Sequence, residues 1–208
     1  MRIDPLFPTP LLIAALPGCG ELCADLRARI LAYADGNEGK RHSNTGGWQS
    51  APDFFAWAGQ SGEVLRDAMV EVVNHYTAIY EQDELVRKPL DWRINAWANV
   101  NRRGDRNETH FHPASYWSAV FYVDDGRAHP EDACGGAIEF VDPRGPVPLM
   151  YAPTIKMTIA HCANAGLGAR YFPQTGEVYL FPSWLSHSVT PYTGDGVRIS
   201  IAANFALA

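Results

Sequence analysis

The hydrophobic periodicity of this 208-residue chain changes once, at Pro89, and that change limits the folds open to it. Upstream, apolar residues recur at three- and four-residue steps, as in helices with one buried face. Leu22, Leu26, Ile30 and Tyr33 mark a first helix, with Gly36 as its stop. A second has Ser61 as cap, Glu63 in its first turn and a stripe running Val64, Leu65, Ala68, Met69, Val72, Val73, Tyr76, Ile79 and Tyr80. The segment 42–57, rich in Ser, Asn, Gly and Trp, reads as an ordered loop.

Downstream the period is two. Trp92, Ile94, Ala96, Ala98 and Val100 share one face, and Arg93, Asn95, Trp97, Asn99 and Asn101 the other. SYWSAVFYV, GAIEFV, GEVYLF and VRISIAANF are further strands, rich in aromatic and β-branched residues. Helices first and short strands after predict a mainly β fold with flanking helices, a sandwich or jelly roll. The length fits one sizeable domain or two small ones, and the pattern is read as a single domain over 1–208, with helical support at 20–86 and a β core at about 91–206.

Bulk properties exclude several classes. A formal net charge of -6 argues against a general nucleic-acid binder, although Arg102, Arg103 and Arg106 form a local basic cluster that reads as a solvated loop. No run approaches the ~20 apolar residues that span a bilayer. Pro5, Pro8 and Pro10 interrupt the N-terminal apolar stretch, a poor signal peptide, so the expected compartment is the cytoplasm. Cys19, Cys23, Cys134 and Cys162 lack metal-finger spacing and are expected to be reduced.

The chemistry concentrates in His110-Phe111-His112 and His187. On a strand, His110 and His112 would point to one side, with Phe111 facing the opposite layer. Adding His187 makes three ligands and leaves coordination positions open, as catalytic metals require. Alone, HxH is a weak signal in a chain with seven histidines. His161 is an alternative ligand, while His42, His75 and His129 have no partner spacing.

Arg198 and Ser200 strengthen the pattern, because alternation puts a guanidinium fork and a hydroxyl on one strand face, a clamp for a carboxylate. Tyr116, Ser118, Val120 and Tyr122 likewise share a face, from which Tyr122 can add a second hydroxyl. Singly, Arg198 reads as a surface strand arginine and Tyr122 as a core aromatic; jointly they fit an anion site.

These residues resemble the Fe(II)- and 2-oxoglutarate-dependent oxygenases, nearest the prolyl-hydroxylase-like branch and its small bacterial and phage members. The matching strings run H-F-H-P, S-A-V-F-Y-V, G-G-A-I-E-F, L-F-P-S-W-L-S-H-S-V and R-I-S-I, over roughly residues 92–205. The resemblance implies a double-stranded β-helix (a cupin-like jelly roll), with His110, His112 and His187 on the metal. It implies Arg198, Ser200 and Tyr122 on the distal carboxylate of 2-oxoglutarate, Asn99 reaching cosubstrate or substrate, and Gly135 and Gly136 allowing a tight strand entry. It further implies Fe(II), 2-oxoglutarate and O2 as cofactors, with hydroxylation of a substrate and release of succinate and CO2.

One departure stands out. The family pattern is His-x-Asp, and here His112 occupies the acidic position, leaving the full charge of the ion for bound 2-oxoglutarate to offset. Glu108 or Asp105 is the carboxylate that could replace His112. Trp97 and Trp184 are candidate cavity walls, and the irregular segments 37–60, 124–134 and 143–175 are candidate substrate loops. The substrate could be a small molecule or a protein side chain. Two other readings stand beside this one: a zinc hydrolase or lyase, and a cupin-like binding protein. Zinc chemistry would leave Arg198 and Ser200 without a role and finds no Glu placed as general base.

Overall fold

The computed structural model describes residues 4, 6–129, 131–145, 154 and 168–208. His161, Cys162 and most of the 143–175 loop lie outside the described residues.

An edge strand β1 (Leu12–Ala15) leads into α1 (Gly20–Gly36), which buries Cys23, Leu26 and Ile30. Gly36 is the last helical residue, and the end is closed by Asn37, whose amide donates to the Tyr33 carbonyl at 2.8 Å. The 42–57 segment is more regular than its composition predicts: it holds β2 (Asn44–Thr45), β3 (Trp48–Gln49) and α2 (Phe54–Trp57). Two-residue strands are too short to carry a readable period. Their turn depends on Gly46, at φ 68°, where a Cβ would fall 2.1 Å from Asp105 Oδ1.

The second helix, α3 (Gly59–Tyr76), is displaced at both ends from the expected span. It begins before Ser61, whose hydroxyl donates to Asp25 Oδ2 at 2.5 Å and ties α3 to α1 instead of capping. It stops at Tyr76, where the Thr77 hydroxyl donates to the Val73 carbonyl at 2.6 Å. Ile79 and Tyr80 belong to a hairpin, β4 (Ile79–Glu81) with β5 (Glu84–Val86), turned through Gln82 and Asp83 at positive φ.

The remaining strands are β6 (Trp92–Asn101), β7 (Arg106–His110), β8 (Trp117–Asp124), β9 (Ile138–Phe140), β10 (Ala169–Tyr171), β11 (Glu177–Pro182), β12 (His187–Val189) and β13 (Arg198–Leu207). They form a six-stranded sheet, β1-β11-β8-β13-β6-β3, and a five-stranded sheet, β10-β9-β12-β7-β2. Every pairing in both sheets is antiparallel.

Alternation gives the larger sheet two working faces. Ile199, Ile201, Ala203 and Phe205 of β13, with Phe121 of β8 and Ala98 of β6, pack into a core shared with Leu26, Ile30 and Leu65 of the helices. Burying each of the larger side chains stabilises the fold by about 1.5–3 kcal/mol as an upper estimate. The opposite face meets the second sheet around Tyr122, Ile138, Phe140, Tyr179, Phe181 and Leu185. Arg198, Ser200 and Asn204 of β13 line a cavity on that inner side, together with histidines of the second sheet. Among the described residues no helix is long and apolar enough to cross a membrane.

Candidate metal centre

His110 closes β7 and His187 opens β12, and the two are direct partners in the antiparallel ladder. Their ring centroids lie 4.4 Å apart. His112 comes two residues after β7 ends, so His110-Phe111-His112 does not form a continuous strand as expected. Pro113 follows, and a residue without an N–H cannot extend the ladder. The His112 backbone N–H instead donates to the Ser183 carbonyl at 2.9 Å, which carries its ring to 4.9 Å from His110 and 5.2 Å from His187. Phe111 is exposed, not turned to the opposite layer. One ligand atom from each imidazole lies within 4.8 Å of the others.

Backbone contacts orient two of the rings. His110 Nδ1 lies 2.7 Å from the Glu108 carbonyl and His187 Nδ1 2.9 Å from that of Leu185. A carbonyl only accepts, so each Nδ1 carries the proton and each Nε2 keeps its lone pair. Burial keeps the imidazoles neutral: it pushes His187 down to about 3 and His112 to about 4, and lowers His110. Neutral imidazole is the form that ligates.

The carboxylates considered as substitutes face elsewhere. Glu108 is paired with Arg106 at 2.9 Å and accepts from the Thr45 hydroxyl, while Asp105 accepts from the Arg102 backbone N–H at 2.7 Å. Among the described residues, His110, His112 and His187 are the only such cluster. His42, His75 and His129 are exposed. Arg103 and Arg106 are engaged by Asp195 and Glu108, in keeping with a solvated basic loop.

The second half of the cavity is set by strand register. Ser200 of β13 pairs with Asn99 of β6 on one side and Tyr122 of β8 on the other, so the three lie in a row across the sheet. Arg198, two residues along the same face, is 3% exposed and sits 5.1 Å over the Tyr122 ring. Among the described residues no carboxylate pairs with it. Burial lowers the Arg198 pKa, yet a guanidinium stays protonated in proteins. Tyr122 Oη is buried beside the Arg198 guanidinium, which only donates, so among the described residues the phenol proton has no acceptor; burial pushes the phenol up to about 12 and it remains a donor. Gly136 makes room for this arrangement: a Cβ there would meet Arg198 Cδ at 2.9 Å.

A buried cation, an orphaned phenol and a neighbouring serine hydroxyl fit a carboxylate. Three neutral imidazoles on one side of a cavity fit a divalent transition ion.

Trp97 lines this cavity and stands 5.5 Å from His112, ring to ring, whereas Trp184 is 54% exposed and outside it. Several polar residues were not singled out by pattern. Ser43 places its hydroxyl 3.4 Å from His110 Nε2, and Asn107 reaches Ser43 at 3.4 Å. Ser118 and Asn204 lie on inner faces that alternation does predict, since they share strands and parity with Tyr122 and Arg198. Ser43 offered no such signal. Cys19, Cys23 and Cys134 are free thiols.

The architecture is the double-stranded β-helix of 2-oxoglutarate oxygenases, as comparison with solved structures shows. A Pseudomonas putida prolyl-4-hydroxylase superposes with a TM-score of 0.63 at 17% identity, covering 96% of this chain and 94% of that one. HygX from Streptomyces hygroscopicus, solved with nickel and 2-oxoglutarate bound, gives 0.61 at 12% identity over 96% and 84%. The viral collagen prolyl hydroxylase of Paramecium Bursaria Chlorella virus-1 gives 0.58 at 12% identity over 95% and 96%. No curated protein sequence matches the chain. Residues 95–204, just over half of the chain, match the model of the family described as "Putative 2OG-Fe(II) oxygenase". The chain belongs to that family.

Proposed function

We propose that this chain is an Fe(II)- and 2-oxoglutarate-dependent dioxygenase that hydroxylates an organic substrate, releasing succinate and CO2. The observation that carries this reading is Arg198, a buried cation with no carboxylate in ion-pair contact among the described residues, Asp125 being paired with Arg127 instead. An uncompensated buried charge costs several kcal/mol. A dianionic cosubstrate would neutralise it.

In this reading His110, His112 and His187 hold the iron through Nε2 or an equivalent lone pair. Arg198 receives the distal carboxylate of 2-oxoglutarate through its forked N–H groups, and Tyr122 and Ser200 each donate a hydroxyl proton to it. Asn99, beside Ser200, presents its amide to the cosubstrate or the substrate. Iron and 2-oxoglutarate, when bound, supply the oxidising chemistry through oxidative decarboxylation of the cosubstrate. The protein needs no acid or base of its own. It contributes ligand geometry, charge compensation and a cavity walled by Trp97.

Isothermal titration of 2-oxoglutarate into the metal-loaded protein tests the clamp, and succinate release under Fe(II), 2-oxoglutarate and oxygen tests the reaction. Binding lost in Arg198→Ala, with succinate formed by the wild type, supports the proposal. A metal-loaded wild type that binds no 2-oxoglutarate overturns it, and would favour a zinc hydrolase or a binding protein on the same fold.

A further inference from the structure

Away from the histidines and Arg198, the inner cavity carries a second built feature. Ser118 is 2% exposed and Ser183 0%, and Ser118 Oγ lies 2.8 Å from Asn204 Oδ1 and 3.2 Å from Ser183 Oγ. One hydroxyl has one proton. Asn204 Oδ1 can only accept, so Ser118 donates to it and Ser183 donates to Ser118. In this relay the carboxamide oxygen faces Ser118. The NH2, for which the described residues offer no partner, is left to the cavity that Asn204 lines with Trp97 and His112.

The charge of that cavity is equally specific. Besides the three histidines, Tyr122 and Arg198, its polar lining is Ser43, Asn99, Asn107, Ser118, Ser200 and Asn204, all uncharged, and among the described lining residues there is no Asp, Glu or Lys. Among the described lining residues the one permanent charge is Arg198. Once the ion and Arg198 are engaged by 2-oxoglutarate, a charged group entering here would lose hydration without a free side chain of opposite charge among the described lining residues, whereas a neutral acceptor would meet a pre-oriented amide donor. Trp97 offers a flat apolar wall beside it.

We propose that the cavity takes an uncharged substrate moiety bearing a carbonyl or amide oxygen, which the Asn204 carboxamide receives as a hydrogen-bond donor while Trp97 covers its apolar face. This rests on the reading above, in which Arg198 is engaged by 2-oxoglutarate. Ser118 and Ser183 are positioning residues: they act through Asn204.

The test uses the full chain loaded with nickel and 2-oxoglutarate, so that binding is read without turnover. Saturation-transfer NMR compares matched probes: N-acetyl amino acid amides against the free amino acids, and nucleosides against their monophosphates. At least one neutral member should exceed its charged counterpart by about 3-fold or more, the range one hydrogen bond supplies. Asn204→Asp, which replaces the donor by a charged acceptor, should remove that preference. Ser118→Ala should raise the half-saturating concentration of the preferred probe several-fold, and Ser118→Thr, which keeps the hydroxyl, should restore it.

Circular dichroism establishes that each variant is folded; if Asn204→Asp is not, the Ser118 pair carries the test. The proposal is overturned if charged probes bind as well as neutral ones, if no probe binds, or if the folded variants keep the wild-type preference. Failure of calorimetry to detect 2-oxoglutarate on the nickel-loaded wild type is a different result: it removes the reading on which the proposal rests.

Discussion

His110 and His187 are partners at the same rung of the β7–β12 ladder, with ring centroids 4.4 Å apart. Two rings that far apart on neighbouring strands of one sheet must project to the same side. The distance between these two ligands is therefore set by inter-strand spacing, the most invariant dimension of a sheet. His112 has no such support and depends on one backbone hydrogen bond to Ser183.

That difference gives a first prediction. Changing even the outer partners of a metal ligand costs roughly 10–100-fold in affinity, so His110→Ala or His187→Ala should cost at least as much. Competition against a chelating dye measures it. Stoichiometric metal at wild-type affinity in His187→Ala would exclude the proposed centre.

Arg198 yields a prediction with two opposite signs. Truncating one partner of a buried charge pair costs about 2–5 kcal/mol of binding, so Arg198→Met should weaken 2-oxoglutarate at least ~30-fold. Yet replacing a buried, unpaired cation with an apolar side chain of similar length relieves its desolvation. The ligand-free variant should melt at or above the wild-type temperature, and added 2-oxoglutarate should raise only the wild type. A variant that melts well below the wild type would mean that Arg198 is already compensated.

Tyr122→Phe deletes a buried hydroxyl whose proton has no acceptor among the described residues. Removing an unsatisfied polar atom is neutral or favourable to folding, so urea denaturation should show no loss of stability. Affinity for 2-oxoglutarate should fall about 10–150-fold, the worth of one hydrogen bond to a charged acceptor. Calorimetry of the variant against the wild type separates the two effects.

A pH dependence follows from Asp125, which accepts from the side chain and backbone of Arg127 and from the Thr175 backbone N–H. Burial pushes this carboxyl up, but those hydrogen bonds outweigh it and hold it below its ordinary value. A carboxyl depressed in the folded state stabilises above its unfolded value, about 4, and that contribution disappears as pH falls through the folded value. Between about pH 5 and pH 2 the wild type should lose more urea resistance than Asp125→Asn. Parallel profiles would show the clasp to be energetically silent.

Most of this site could be read from periodicity because a strand's alternation is a local property. It places Arg198 with Ser200, and Ser118 with Tyr122, whatever the rest of the chain does. The same logic sorted β13 into a helix-facing row, Ile199 to Phe205, and a cavity-facing one. Where two periods overlap, alternation misleads: Ile79 and Tyr80 extend the helical stripe yet pair in a hairpin, since two apolar residues satisfy either register.

What alternation cannot carry is which strands become neighbours and at which rung. That Ser200 falls between Asn99 and Tyr122, that His187 meets His110, and that Ser43 arrives beside His110 depend on pairings between residues far apart in sequence. Those registers are chosen by the packing of two cores at once. Local residue chemistry therefore specified the parts of the metal and anion sites, and only tertiary packing set the distances at which they can act together.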